Sequence, residues 1–326
     1  MKNWIFIGTI LILIGLGSGF LLSNSLNKNQ KSSDNCAMQY SFINPLLGCD
    51  YKYAIKKTGY ADFRKKLAIY LDSQKNEGKI SDSSVYFRDL IDGPWVGIRE
   101  KRNFAPASLL KLPIMMTFFK MAEDNPDLLS KKITINRLPK DVEEQHYPPI
   151  QSVAIGETYA IEELIENMII HSDNHASGVL LDYLYSSNPD SDPLLTTLKE
   201  TGTISSDADP LNEISVGANA SFYRLLFNSA YLSSKMSDKA LKILSQTKFD
   251  QGMVSGLPKD VKSAHKFGER VLGDSKNQLH DCGIVYFPNN PYILCIMTRG
   301  ENFDDMAKTI TEVSKMVWDE VNSRKL

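Results

Sequence analysis

The chain opens on an apolar run. From Trp4 to Ser23 there is no charge, and Ile, Leu and Gly dominate. A run of that length can cross the hydrocarbon core as a helix. Its exit, Leu21-Leu22-Ser23-Asn24-Ser25, lacks a small-x-small cleavage pattern, so the run predicts an uncleaved transmembrane anchor over residues 1–23. Lys2 ahead of it predicts an amino terminus inside and the remainder exported. Asn24 to Asp34 is polar, aperiodic and rich in Ser, Asn and Lys, which predicts a flexible tether. The tether extends to about residue 50, and one catalytic-sized domain fills 51–326.

Beyond the tether the periodicity changes. Phe63, Leu67, Tyr70 and Leu71 recur at helical spacing, so Tyr60 to about Lys75 reads as an amphipathic helix. Ser84–Leu90 and Trp95–Arg99 flank Ile91-Asp92-Gly93-Pro94 and predict a β-hairpin. A helix follows from Ser108 through Ala122. The middle is helical: Ile161, Leu164, Ile165, Met168 and Ile169 share one stripe, and Ser177–Tyr185, Ser221–Tyr231 and Asp238–Ser245 continue the pattern. Strand-like segments return at Ala264–Glu269, Cys282–Phe287 and Tyr292–Thr298, and a last helix carries Met306, Ile310, Val313, Val317 and Val321. This order predicts an α+β fold: an antiparallel five-stranded sheet flanked by helices, with an all-helical lobe over about 123–260. A cleft between the two parts is a natural place for a site.

Charge removes one class of function. The net charge is -2, so no basic field points to a nucleic-acid partner. Cysteine adds a compartment. Cys36, Cys49, Cys282 and Cys295 make an even count, which suits disulfides in an exported chain, although four cysteines allow three pairings. Cys36 and Cys49 would close a short loop. Cys282 and Cys295 lie on strands joined by Pro288-Asn289-Asn290-Pro291 and are expected on one face, one diagonal step apart. Buried free thiols are the alternative. Neither these cysteines nor the five histidines have the spacing of a zinc site, and no metal or cofactor is expected.

Three short motifs carry the chemistry. In Ser108-Leu109-Leu110-Lys111, a lysine one helical turn after a serine faces the same side. If a desolvated or cation-flanked lysine is neutral, it can take the hydroxyl proton. Ser172-Asp173-Asn174 follows the apolar helix ending Met168-Ile169-Ile170-His171, where a hydroxyl and an amide can point into a cleft. Lys266-Phe267-Gly268 sits in a strand, where a lysine can attract a carboxylate and a glycine permits close approach of a substrate to the backbone. Each motif alone is weak. His171 and His265 flank two of them, but no Gly-x-Ser-x-Gly elbow supports a Ser-His-Asp triad.

Taken together and in order, the motifs resemble the signature of the class A β-lactamase and penicillin-binding-protein superfamily: Ser-x-x-Lys, Ser-Asp-Asn and a Lys-Thr-Gly variant. The resemblance runs over most of the chain after about Tyr60. It implies that Ser108 is acylated and Lys111 activates it. It implies that Ser172 relays a proton between Lys111 and Lys266, and that Lys266 attracts the substrate carboxylate. Asn174 would hold the substrate amide, Gly268 would lie along the bound substrate, and the backbone N–H groups of Ser108 and Glu269 would bind the oxyanion. The implied substrates are β-lactams or peptidoglycan stem-peptide-like acyl-D-Ala-D-Ala compounds.

Two departures bear on rate and preference. Phe267 stands where the family has Thr or Ser, although strand alternation would turn it away from Lys266 and Gly268. The family's deacylating Glu-x-x-x-Asn also has no counterpart, since Ala208 stands four residues before Asn212, with Asp207, Asp209 and Glu213 nearby. Slow deacylation is the expectation. The alternatives are a true class A β-lactamase using another loop carboxylate, or a weakly catalytic protein that binds cell-wall peptides or β-lactams.

Overall fold

The computed structural model describes residues 41–44, 59–91, 93–139, 144–203, 212–272 and 276–324. The chain divides into two compact units, Met1–Ser41 with Pro45–Ala54, and Phe42–Asn44 with Ile55–Leu326. The expected anchor, the tether, Cys36 and Cys49 lie outside the described residues. Among the described residues no helix is long and apolar enough to cross a membrane.

Helix α1 (Ala61–Asn76) buries Phe63, Leu67 and Leu71, the i, i+4 stripe that the pattern marks. Strands β1 (Asp82–Asp89) and β2 (Trp95–Ile98) form the expected hairpin, with Phe87 opposite Val96. The short β3 (Asn103–Phe104) leads to α2 (Lys111–Asp124). Residues Lys111 to Phe119 of α2 are all buried, as befits a helix that is apolar all round. The helical lobe continues through the small pair β4 (Lys132–Thr134) and β5 (Thr158–Ala160), then α3 (Ile161–Ile170), α4 (Asn174–Ser187) and α5 (Pro193–Glu200). It ends with β6 (Ile214–Ser215), α6 (Val216–Phe227) and α7 (Ser234–Leu244). The chain returns to the sheet as β7 (Ser263–Arg270), β8 (Asn277–Val285) and β9 (Tyr292–Gly300), and α8 (Phe303–Ser323) closes it.

The main sheet is five-stranded and antiparallel, in the order β2-β1-β9-β8-β7. On one face α1 and α8 pack over Val85, Phe87, Leu279, Leu294 and Ile296, each full burial contributing about 1.5–3 kcal/mol. On the other face lies α6, whose Asn219 Nδ2 reaches Cys295 Sγ at 3.5 Å. Covered on both faces, β9 is buried from Tyr292 through Thr298, which explains its unbroken apolar run. β7 is left as an edge, and the turn that carries Ser108 packs against it at Gly268.

Three expectations change. Strand β8 begins at Asn277 rather than Cys282, because Gln278, His280 and Asp281 are buried and hydrogen-bonded inside it. Cys282 and Cys295 are direct cross-strand partners, not diagonal ones, and they form a disulfide with Cα atoms 4.0 Å apart. The register centres the hairpin on Pro288 and Asn289, so the two cysteines fall opposite each other. Helix α5 and the two minor strand pairs were not expected. Asp192 caps α5 by accepting from Leu195 N, with Pro193 at its first position.

Candidate active site

Ser108 lies in a 3-10 turn, Ala107–Leu110, and the α-helix starts only at Lys111. This corrects the expected helix start at Ser108. Pro113 has no N–H to donate to the Leu109 carbonyl, so the preceding turn closes in the tighter i, i+3 form, with Leu109 N–H donating to Pro106 O at 3.0 Å. Ala107 just before the serine takes φ +49°, a left-handed conformation that costs a non-glycine residue on the order of 1–3 kcal/mol and concentrates at functional sites.

Strand β8 holds this turn. Gln278 Oε1 accepts from Ala105 N at 3.0 Å, and His280 Nε2 donates to Ala105 O at 3.0 Å. Phe104 meets the His280 ring edge-on. Burial pushes His280 down to about 4, so the ring is neutral at neutral pH. The unfolded chain binds the extra proton between about 6.5 and 4. Wild-type stability should therefore fall as pH drops through that window, by about 3 kcal/mol. Urea melts of wild type and His280→Gln at pH 7 and pH 4.5 check this. Equal acid losses in both would overturn it.

β7 abuts the same turn at Gly268. A Cβ there would stand 3.0 Å from Leu109 Cγ, 3.1 Å from Leu109 N and 3.2 Å from Pro106 O. The glycine thus admits the backbone of the turn that carries Ser108, whereas the sequence suggested a passage for substrate.

The two lysines differ sharply. Lys111 is buried, and its Nζ donates to Ser172 O at 2.7 Å, Ser172 Oγ at 3.2 Å and Asn174 Oδ1 at 2.7 Å. Ser172 takes φ +57° to present both oxygens. Asp173, between these two residues, caps α4 by accepting from His175 N at 2.9 Å. Lys266 is wholly buried, with Nζ donating to Phe267 O at 3.0 Å and lying 4.1 Å from the Phe267 ring centre. Burial first, and the Lys111 charge second, hold Lys266 well below the usual lysine range. Among the described residues no hydrogen bond joins Ser172 to Lys266, so the relay's second leg is not made in this arrangement. Ser108 Oγ makes no hydrogen bond to another described residue.

Phe267 packs away from Gly268 but not from Lys266, whose Nζ curls back over its ring. It stacks on Phe249 at 4.1 Å and joins the core beneath the terminal helices. His265 shares that face and is buried, with Nδ1 2.8 Å from Asp281 Oδ1, while Asp281 Oδ2 accepts from Met253 N at 2.8 Å. This His–Asp pair fixes the 249–253 loop, and among the described residues no serine hydroxyl is hydrogen-bonded to it. Glu213 accepts from Asn103 Nδ2 at the surface. Asp207, Ala208 and Asp209 lie outside the described residues.

The side chain of Glu269, unremarked in the sequence, is 4% exposed and accepts from His146 N at 3.0 Å and Tyr147 N at 2.9 Å. Burial raises its carboxyl from the usual range, and these N–H groups partly offset the rise. Gln145 is a second missed residue: its Nε2 donates to Ser172 O at 3.3 Å. No motif marks either contact, since both form only when the 144–147 segment folds back over the cleft.

Fold and site together define a serine hydrolase acting on amide bonds. The chain belongs to the Beta-lactamase enzyme family, whose model matches residues 62–321. The structure of PBP-A superposes with a TM-score of 0.66 at 22% identity, covering 82% of this chain and 98% of that one. A PBP-A variant described as an acyl-enzyme complex with penicillin G scores 0.66 at 23% identity, covering 82% and 98%. A class A beta-lactamase from Mycobacterium abscessus scores 0.65 at 19% identity, covering 79% and 99%. At these identities the structures speak for the fold.

Proposed function

We propose that this chain is a membrane-tethered, extracytoplasmic enzyme that forms an acyl-enzyme on Ser108 with β-lactams or acyl-D-Ala-D-Ala-like peptides and deacylates slowly. The observation that carries the reading is the Lys111 ammonium held by Ser172 and Asn174 beside a Lys266 that burial drives toward neutrality. Lys111 Nζ donates to Ser172 O, Ser172 Oγ and Asn174 Oδ1, so it has to give up a proton before it can act as the base. A substrate carboxylate beside Lys266 raises that lysine's proton affinity. Once its neutral amine turns from Phe267 O toward Ser172, a proton can pass from Lys111 through the Ser172 hydroxyl to Lys266. Lys111 then has a lone pair for the Ser108 proton.

Ser108 Oγ next bonds to the substrate carbonyl carbon, and the negative oxygen lies between the N–H groups of Ser108 and Glu269. Losing one such donor costs about 3 kcal/mol of barrier stabilisation. The C–N bond breaks and the leaving nitrogen takes a proton through Ser172. Asn174 orients the substrate amide while also fixing Lys111. Slow deacylation rests on the sequence, which has Ala208 where the family's water-activating glutamate would stand.

Intact-mass spectrometry of the full chain in detergent, after incubation with benzylpenicillin, tests this reading. A single adduct stable over hours is expected on wild type and absent from Ser108→Ala. Rapid turnover without a lasting adduct would instead make the chain an efficient β-lactamase. Absence of an adduct and of turnover in wild type would sink the β-lactam reading.

A further inference from the structure

We propose that residues 144–153 form a strap fastened across the mouth of the cleft, and that Gln145 and Glu269 thereby restrict acylation to slender substrates. The inference rests on the acyl-enzyme reading and adds a size limit to it. Ser172 stands on the helical-lobe wall and Glu269 on the β7 edge. Gln145 reaches the first, while His146 and Tyr147 donate their backbone N–H groups to the second. An extended chain advances about 3.5 Å per residue, so three successive residues touching both walls mark a narrow, bridged mouth. The far end is also tied: Ser152 Oγ and Val153 N both donate to Asp173 at 2.9 Å.

Aromatic packing adds to the fastening. His146 stacks on Phe303 at 4.3 Å, and Tyr147 meets Phe249 edge-on at 5.1 Å. A separate cavity of about 230 Å³ lies on the Phe267 side of β7, bordered by Tyr147, Ile150, His171, Lys248 and Phe249, and none of Ser108, Lys111, Ser172 or Glu269 lines it. A branched or bulky acyl side chain has to displace the strap. Glu269 therefore acts in two ways: its backbone N–H faces the reacting oxygen, and its carboxylate positions the strap.

Two measurements on the full chain test the inference. Hydrogen–deuterium exchange of the His146–Tyr147 region should be slow in wild type and roughly tenfold or more faster in Glu269→Gln, as expected for loss of a charge-assisted hydrogen bond. The acylation rate with a cephalosporin carrying a branched side chain, divided by that with benzylpenicillin, should rise about tenfold in Gln145→Ala. A purely structural role would slow both probes together and leave that ratio unmoved. An unchanged ratio in Gln145→Ala, or wild-type exchange as fast as in an unprotected chain, overturns the proposal. If benzylpenicillin fails to label wild type, the acyl-enzyme reading fails separately, and the exchange result alone decides whether the strap exists.

Discussion

Replacing Lys266 with Met is expected to slow acylation by about a hundred- to ten-thousandfold, the usual worth of a proton-transfer group, and to make the protein more stable. Lys266 is wholly buried, and among the described residues its amino group has one carbonyl and the Phe267 ring for company. Met is similar in length and carries no charge into that site. Apolar replacement of buried ionic groups stabilises by about 1–4 kcal/mol in comparable cases. The pH dependence identifies the cause. Lys266 binds its proton more weakly in the folded chain than in the unfolded one. Between the folded value and about 10.4 the unfolded chain holds the extra proton, so wild-type stability rises with pH across that window. The advantage of Lys266→Met should therefore shrink from pH 7 to pH 9.5. Urea melts at both pH values, beside adduct formation followed by mass, check the two halves. A variant less stable than wild type at both would show that burial of this lysine carries no cost.

Gly268→Val is expected to impair the nucleophile without removing any reactive group. Its Cβ would press on Leu109 N and Pro106 O, and backbone yields less readily than a side chain tip. Overpacking of this kind costs about 1–3 kcal/mol of stability. Because the turn carries Ser108, a shift of about 1 Å should lower the acylation rate constant roughly a hundredfold. Adding Leu109→Ala removes only the Leu109 Cγ contact, so the double variant should regain part of the stability and little of the rate. Stability melts and stopped-flow acylation on both variants separate the effects. Full recovery of rate in the double variant would mean that the leucine side chain, not the backbone, sets the approach.

The parts of this molecule legible in the sequence are those built on local periodicity. The Phe63, Leu67, Leu71 stripe, the β1–β2 hairpin and the unbroken apolar β9 each carry a pattern within a few residues. The Ser108, Lys111, Ser172 and Asn174 grouping was readable because three spacings coincide in order, and the structure brings Lys111, Ser172 and Asn174 into direct contact. What the pattern hid depends on distant partners. Gln278, His280 and Asp281 look like loop residues until Ala105, His265 and Met253 satisfy them. Pro113 altered the start of the nucleophile's helix through a missing N–H that the serine-lysine spacing does not reveal. Gly268 was assigned close approach, and the neighbour the structure shows there is the Pro106–Leu109 backbone. The Glu269 and Gln145 contacts join segments separated by more than a hundred residues in one case, and no local rule reaches that far.

The strand order has a consequence in time. Asp82 of β1 pairs with Arg299 of β9, so the centre of the sheet cannot close until nearly the whole domain has been made. The helical lobe, rich in local contacts, can form first, while the β1–β2 hairpin waits with an unpaired edge open to self-association. The disulfide ties together β8 and β9, whose cysteines are 13 positions apart. It can therefore set the register of the last hairpin before that hairpin docks. Since β7 enters with the same unit, the lysine and glycine that complete the site arrive at the end of folding. A chain stalled before that step would carry Ser108 without the strand against which its turn packs.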